Sequence, residues 1–288
     1  MSIMADRSGY VNRTYEQEAT QLIKGMKTLL FNKQTQTFFD GEKRNHSAWH
    51  AQTIPLWVGD IANDTKSMFN VLKSKGMVGS VYGAFSFLMG LYNSADYDRG
   101  HFALEMLTSC NPNCSWCHMI QVGATATMEA WTRKQKPNLS WSHPWVVFFS
   151  SRSSSFLSPL ITHPHTYTQA TAPITAIVRG LMGFMALKPK WQEFLFKPQI
   201  GNLEYADLTI PTMSGRIRAR VSGNGSLATN ATLYFNPGMT ATICMPVNEE
   251  TDVLYVDDVE TKGLYSGGYT CVRNIVSKGS VVGRRVRS

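Results

Sequence analysis

The sequence predicts a multidomain α+β protein, with a helical part followed by an antiparallel β-sandwich. Two patterns and one size argument predict it. Apolar residues recur at helical spacing from Glu16 to Thr108, whereas beyond Trp191 apolar and polar residues alternate between Gly, Pro and Asn turns. The 288 residues, 43% of them apolar, suffice for one large domain or two smaller ones.

Taken in order, Ala19, Leu22, Ile23, Met26 and Leu29 or Leu30 share one helical face, so Glu16 to Phe31 is predicted as a helix. NKQTQTFFDGEKR follows and reads as a polar turn. Trp49 to Gly59, Lys66 to Lys73, Tyr82 to Tyr92 and His101 to Thr108 each read as amphipathic helices. Loops marked by Asn, Asp or Gly separate them, which predicts helical hairpins. In the strand region, EYADLTIPTMSGRIRARVS, ATLYFNPGMTATICMPV and VLYVDDV alternate. Ile217, Ala219 and Val221 fall on one face of a strand, leaving Arg216, Arg218 and Arg220 on a solvated one. The predicted domains are 1–191, mostly helical, and 192–288, a sandwich ending in a basic tail. Between helices and strands, residues 146–170 hold six Ser and no Gly, Asn, Asp, Glu or Lys, and fit neither period. An unpatterned loop of that length is uncommon inside a compact domain, so the segment reads as an insert.

Composition excludes several classes. The most apolar stretch, Ala172 to Leu187, is interrupted by Arg179, so no membrane span is expected. Met1 to Tyr10 has no apolar core, so no signal peptide is visible and the location stays open. Seven Asn-X-Ser/Thr sequons permit a secretory history without requiring one. The net charge is +8, yet Lys278, Arg284, Arg285 and Arg287 account for half of it, which argues against a nucleic-acid partner. The seven Trp suit either a large core or a site that takes sugar faces.

Cys110, Cys114 and Cys117 have the C-x3-C-x2-C spacing by which radical S-adenosylmethionine enzymes ligate an iron–sulfur cluster. Such a loop follows the first strand of a β/α barrel, whereas here the helical segment ALEML precedes it and no βαβ repeat follows. A Cys110–Cys114 or Cys114–Cys117 disulfide, or free thiols, is the expected state.

Four blocks point to one family: NHSAWHAQTIPLWVGDI; LKSKGMVGSVYGAFSFLMGLYNSADYD; SWCHMIQVGATATMEAWTRKQKPNLSWSHPW; and IVRGLMGFMALKPKWQEFLFKPQIGNLEYADLTIPTMSGRIRARV. In order and spacing they resemble the C-terminal half of an α-L-rhamnosidase, a six-hairpin, inverting glycoside hydrolase. The resemblance implies a partial (α/α)6 toroid followed by the β-sandwich, with the first half of the toroid and the accessory β domains absent. It implies a rhamnose-containing glycoside or polysaccharide as partner, with no cofactor and no metal.

An inverting glycosidase uses two carboxyl groups, one protonating the leaving oxygen and one activating water on the opposite face. GATATMEAW presents one acid, Glu129, among small and apolar residues, where partial desolvation would keep it basic. The resemblance makes Glu129 the general base. It also implies sugar contact for His143, with Trp131 and Trp141 as apolar faces and His50 at a helix end lining the interior. The family's acid lies in a segment of the form Glu-Arg-x-Gly-Trp-x-Gly-Asp, which this sequence lacks. Asp40, Glu42 and Asp60 read as ordinary turn or helix-end acids. The isolated chain is therefore expected not to turn over an aryl rhamnoside, and a non-catalytic carbohydrate-binding remnant is the alternative. Open apolar helix faces make poor solubility an expectation. The family runs almost directly from WSHPW into the next helix, so 146–170 reads as a translated intron or a surface loop. Either would be poised to obstruct the pocket.

Overall fold

The computed structural model describes residues 13–59, 65–93, 96–141, 172–223, 228–247, 253–277 and 281–286. Residues 146–170, read above as an insert, lie outside this range. The chain divides into two compact units, 1–79 and 80–288.

In the first unit α1 (Arg13–Gly25) runs into a π-helical turn, Met26–Leu30. The segment read as a polar turn contains a short hairpin, β1 (Phe31–Asn32) and β2 (Thr37–Phe38). Two-residue strands are too short to show a period of two, which hides them from pattern reading. The Asn32 side-chain oxygen accepts the Gln34 N–H at 2.9 Å and closes the turn. α2 (Trp49–Val58) buries Trp49, Gln52, Thr53, Pro55 and Leu56, and α3 (Lys66–Lys75) buries Met68, Phe69 and Leu72. Trp49 joins α2 to the segment after α3, because its indole N–H donates to the Gly76 carbonyl at 2.8 Å. A Cβ on Gly79 would lie 2.4 Å from its ring, so Gly79 is the residue that permits the approach.

In the second unit α4 (Gly83–Tyr92) is buried from Phe87 to Tyr92 without interruption, the mark of a helix enclosed on all sides. α5 (Tyr97–Thr108) begins four residues earlier than its apolar pattern, because Asp96 caps it by accepting the Asp98 N–H at 2.9 Å. α6 (Trp116–Gln121) is capped in the same way by Ser115, whose hydroxyl oxygen accepts the His118 N–H at 3.1 Å. After residue 171, α7 (Ala172–Thr175) continues as a π-helical turn, Ala176–Leu181.

The strands form two sheets. In the first, β10 (Val259–Thr261), β9 (Val253–Val256), β13 (Val281–Val286), β7 (Ala228–Tyr234), β6 (Gly215–Gly223) and β5 (Tyr205–Thr212) lie side by side in that order. In the second, the order is β11 (Leu264–Ser266), β12 (Tyr269–Val276), β8 (Thr240–Pro246), β4 (Glu193–Phe196) and β3 (Phe184–Ala186). Ile217, Ala219, Val221 and Leu233 from one sheet and Phe194, Phe196, Ala241 and Ile243 from the other are buried; β6 alternates as predicted, whereas β8 is buried on both faces from Ala241 to Pro246.

Three features depart from the sequence reading. The C-terminal basic segment is not a tail: β13 is an interior strand, paired with β7 on one side and β9 on the other. β4 pairs parallel to β8, the exception in otherwise antiparallel sheets. The five-stranded sheet begins at β3, inside the stretch read as helical. Disulfides are also placed differently. Cys110 bonds Cys117, not Cys114, and Cys244 bonds Cys271 across the neighbouring strands β8 and β12. Cys114 is the free thiol. With two of its three thiolates joined to each other, the C-x3-C-x2-C loop cannot ligate a cluster, and the radical-enzyme reading falls. Among the described residues no helix is long and apolar enough to cross a membrane, and no group of three His, Cys, Asp or Glu is placed to hold a metal.

Candidate active site

Glu129 sits in the irregular segment that follows α6, between helices and not on one. Backbone turns shape this segment: Gln135 and Lys136 N–H both point to the Thr132 carbonyl, and Leu139 N–H to that of Lys136. Buried side chains anchor it. Met128, Trp131 and Leu139 turn inward, and Trp131 meets Trp116 of α6 edge-on at 5.1 Å. Glu129 closes the loop on itself, its N–H donating to the Ser140 carbonyl at 3.1 Å.

The Glu129 side chain keeps 20% of its surface exposed, so it can reach a water or ligand while its carboxylate stays fixed. One oxygen accepts the Ser140 N–H at 3.1 Å, and the other pairs with the Lys136 ammonium. A carboxylate with a donor on each oxygen is held in orientation, which a general base needs. Tyr82, at the start of α4, feels this charge. Burial pushes its phenol up, the negative Glu129 adds to the rise, and Lys136 opposes it. Tyr82 therefore stays protonated. Pattern reading passed over it, since one Tyr at a helix start carries no distinguishing signal.

The other candidates separate. Trp131 is 1% exposed and supports the loop from below; no open ring face remains for a sugar. Trp141 is half-buried at the far end of the loop, with the Arg133 guanidinium 4.6 Å from its ring centroid. His50 is exposed in the first turn of α2, edge-on to Trp49 at 5.0 Å, and belongs to the other compact unit. His143 lies outside the described residues. Glu129, Tyr82, Trp131 and Trp141 are thus gathered in one unit.

Residues 1–148, just over half of the chain, match the family described as the bacterial alpha-L-rhamnosidase 6 hairpin glycosidase domain. The chain belongs to this family. Solved structures agree in fold with this six-hairpin family member. The α-L-rhamnosidase from Dictyoglumus thermophilum superposes with a TM-score of 0.63 at 15% identity, over 99% of this chain and 30% of its own. The Streptomyces avermitilis α-L-rhamnosidase complexed with L-rhamnose gives 0.63 at 16% identity, over 99% and 25%. The native Aspergillus terreus α-L-rhamnosidase gives 0.59 at 16% identity, over 99% and 28%. The chain thus spans between 25% and 30% of the length of these three. No curated protein sequence matches it significantly.

Proposed function

We propose that this chain carries the general-base side of an inverting α-L-rhamnosidase site, with terminal α-L-rhamnose as the sugar and Glu129 as the base. The observation that carries the reading is the Glu129 carboxylate itself: partly open, and oriented by the Ser140 N–H and Lys136. In a single displacement, Glu129 takes a proton from water as the water oxygen bonds to the anomeric carbon. An acid on the opposite face, roughly 6.5–9.5 Å away, protonates the departing oxygen. Rhamnose as the sugar is supported by the relative solved with it bound. His143 and Trp141 are proposed sugar contacts. Trp131 supports the loop that carries the base.

No segment of the Glu-Arg-x-Gly-Trp-x-Gly-Asp form occurs in the sequence, so the proton donor is proposed to come from outside these 288 residues. A carbohydrate-binding role without turnover is the second reading, favoured by the Lys136 ammonium already seated on the Glu129 carboxylate. Calorimetry with L-rhamnose and an aryl α-L-rhamnoside assay test both. The chain alone is expected to bind rhamnose without turnover. Combined with an acid-bearing helical half, and with 146–170 removed, it should gain activity that Glu129→Gln lowers by roughly 10²–10⁴-fold with binding kept. Unchanged activity in that variant rules Glu129 out as the base.

A further inference from the structure

β5 is the outermost strand of the six-stranded sheet, paired with β6 on one side only. It runs for eight residues, whereas β10, β11 and β3, at the other sheet edges, have three each. Short edges limit pairing with other chains, and a long one permits it. Residues facing each other in an antiparallel ladder alternate between bonded and unbonded pairs. The Gly223 N–H donates to the Glu204 carbonyl at 2.9 Å, which puts Ala206, Leu208, Ile210 and Thr212 in the phase bonded to β6. The N–H and C=O groups of Tyr205, Asp207 and Thr209 therefore point away from the sheet. Among the described residues no backbone group pairs with them. A proline guards only the far end of this row, at Pro211.

The side chains beside the edge give it a chemistry. In β5, β6 and β7 the charged residues are Asp207, Arg216, Arg218 and Arg220. Asp207 accepts from Arg218 Nε at 3.2 Å and Nη2 at 2.8 Å, and the Arg220 guanidinium lies 4.8 Å from the Tyr205 ring centroid. Both arginines thus lean from β6 toward the edge. Arg216 and Arg220 form no ion pair among the described residues, so the face keeps a net positive charge. Arg216 opens with Thr209, Arg218 and Tyr234 onto a shallow groove of about 350 Å³. On the opposite face Ile210 is buried, but Ala206 and Leu208 are only half-buried and leave an apolar rim.

An added strand would bond to Tyr205, Asp207 and Thr209 through its backbone and send alternate side chains to the two faces. Acids would meet the arginines, and apolar residues would extend the rim. A second copy of the chain, net charge +8, would bring its own arginines to the same face and meet like charge. A nucleic acid or an acidic glycan would satisfy the arginines and leave the backbone row unpaired. We propose that the free edge of β5 and the arginine face beside it form a docking site for an extended segment of another protein, one that alternates acidic and apolar residues and adds to the sheet as a further strand. The site stands apart from the reading of Glu129.

The test titrates the 288-residue chain into fluorescein-labelled peptides followed by anisotropy. The probes are a short peptide of alternating Glu and Val, its Lys and Val counterpart, the Glu and Val peptide N-methylated at alternate amides, and oligothymidylate. The Glu and Val peptide should bind saturably and more weakly as salt rises, and the Lys peptide should not bind. N-methylation should weaken binding at least about tenfold, by removing the backbone bonds. Thr209→Pro, which deletes one outward N–H, and the double variant Arg216→Gln with Arg220→Gln should each weaken it about tenfold. All three positions are exposed, and far-UV circular dichroism checks folding. No saturable binding of the Glu and Val peptide overturns the site. Equal affinity for the N-methylated peptide overturns strand addition, and equal affinity for the Lys peptide overturns the role of charge. Tighter binding of oligothymidylate overturns the protein partner. A chain that is dimeric by light scattering and becomes monomeric with Thr209→Pro has a second copy on this edge, which also overturns the proposal.

Discussion

Tyr92, the last residue of α4, shows how one atom can set a pH limit. Its ring packs so closely on the π-helical turn that a Cβ at Gly180 would come within 2.2 Å of it, and among the described residues its buried hydroxyl finds no hydrogen-bond partner. Burial pushes the Tyr92 phenol well above the ordinary tyrosine range, and does the same to Tyr269 in β12. A raised folded pKa means that the native state keeps a proton which the unfolded chain releases. The resulting stability is complete below the unfolded value, about 10, and is lost as pH climbs toward the folded value. Lys197 acts in the opposite sense just below its own ordinary value, since burial pushes its ammonium down. Urea unfolding at pH 8 and pH 10.5 should show a clear loss at the higher pH. Tyr92→Phe should gain about 1 kcal/mol at pH 8, by removing an unsatisfied hydroxyl, and should lose less on going to 10.5. Equal pH sensitivity in variant and parent would refute this. At this scale Glu129 was legible, being the one acid in its block, whereas Tyr82 becomes visible only when α4 is placed beside the loop.

Among the elements, α2 and the β1–β2 hairpin are joined by a side chain acting as backbone. Gln52 is fully buried; its amide oxygen accepts the Phe38 N–H at 3.0 Å, and its amide nitrogen donates to the Phe38 carbonyl at 2.7 Å. The Ser47 hydroxyl donates to the same carbonyl at 2.8 Å. Gln52→Leu would keep the packing volume and leave the Phe38 carbonyl served by Ser47, but would orphan the Phe38 N–H. A cost of about 1–3 kcal/mol is expected. Gln52→Glu, which buries an acid beside that carbonyl, should cost more. A urea midpoint for Gln52→Leu within error of the parent would show that the hairpin draws its place from elsewhere. The helix α2 was legible from its apolar spacing; its polar staple was not, because a Gln on a buried face looks like an interruption of the pattern.

For the whole molecule, covalent links set the largest single terms. All five cysteines are accounted for by two disulfides and Cys114. Thiol titration in denaturant should find one thiol per chain before reduction and five after. The Cys244–Cys271 link spans 27 residues, and chain entropy alone assigns it about 3–4 kcal/mol. The Cys110–Cys117 link spans 7 and is assigned about 2. Cys271→Ser should therefore lower the melting temperature more than Cys110→Ser. The reverse order would show that strain or unfolded-state structure dominates. The first compact unit also shows Leu22, Leu29, Ile54, Trp57 and Val58 to solvent, in keeping with the open apolar helix faces expected from the sequence.

By itself the sequence determined the succession of helices and then strands, which face of β6 is solvated, the family, and the block that carries Glu129. Each of these is written in local period, turn residues or contiguous motif. Only the tertiary structure decided that Cys110 reaches past Cys114 to Cys117, that β4 runs parallel to β8, and that β13 enters the sheet between β7 and β9. It also decided that Trp131 faces inward while Trp141 lies under Arg133. Period tells which side of an element is apolar. It does not tell which distant segment will meet that side, because the choice is made by packing and backbone hydrogen bonding among residues far apart in the chain.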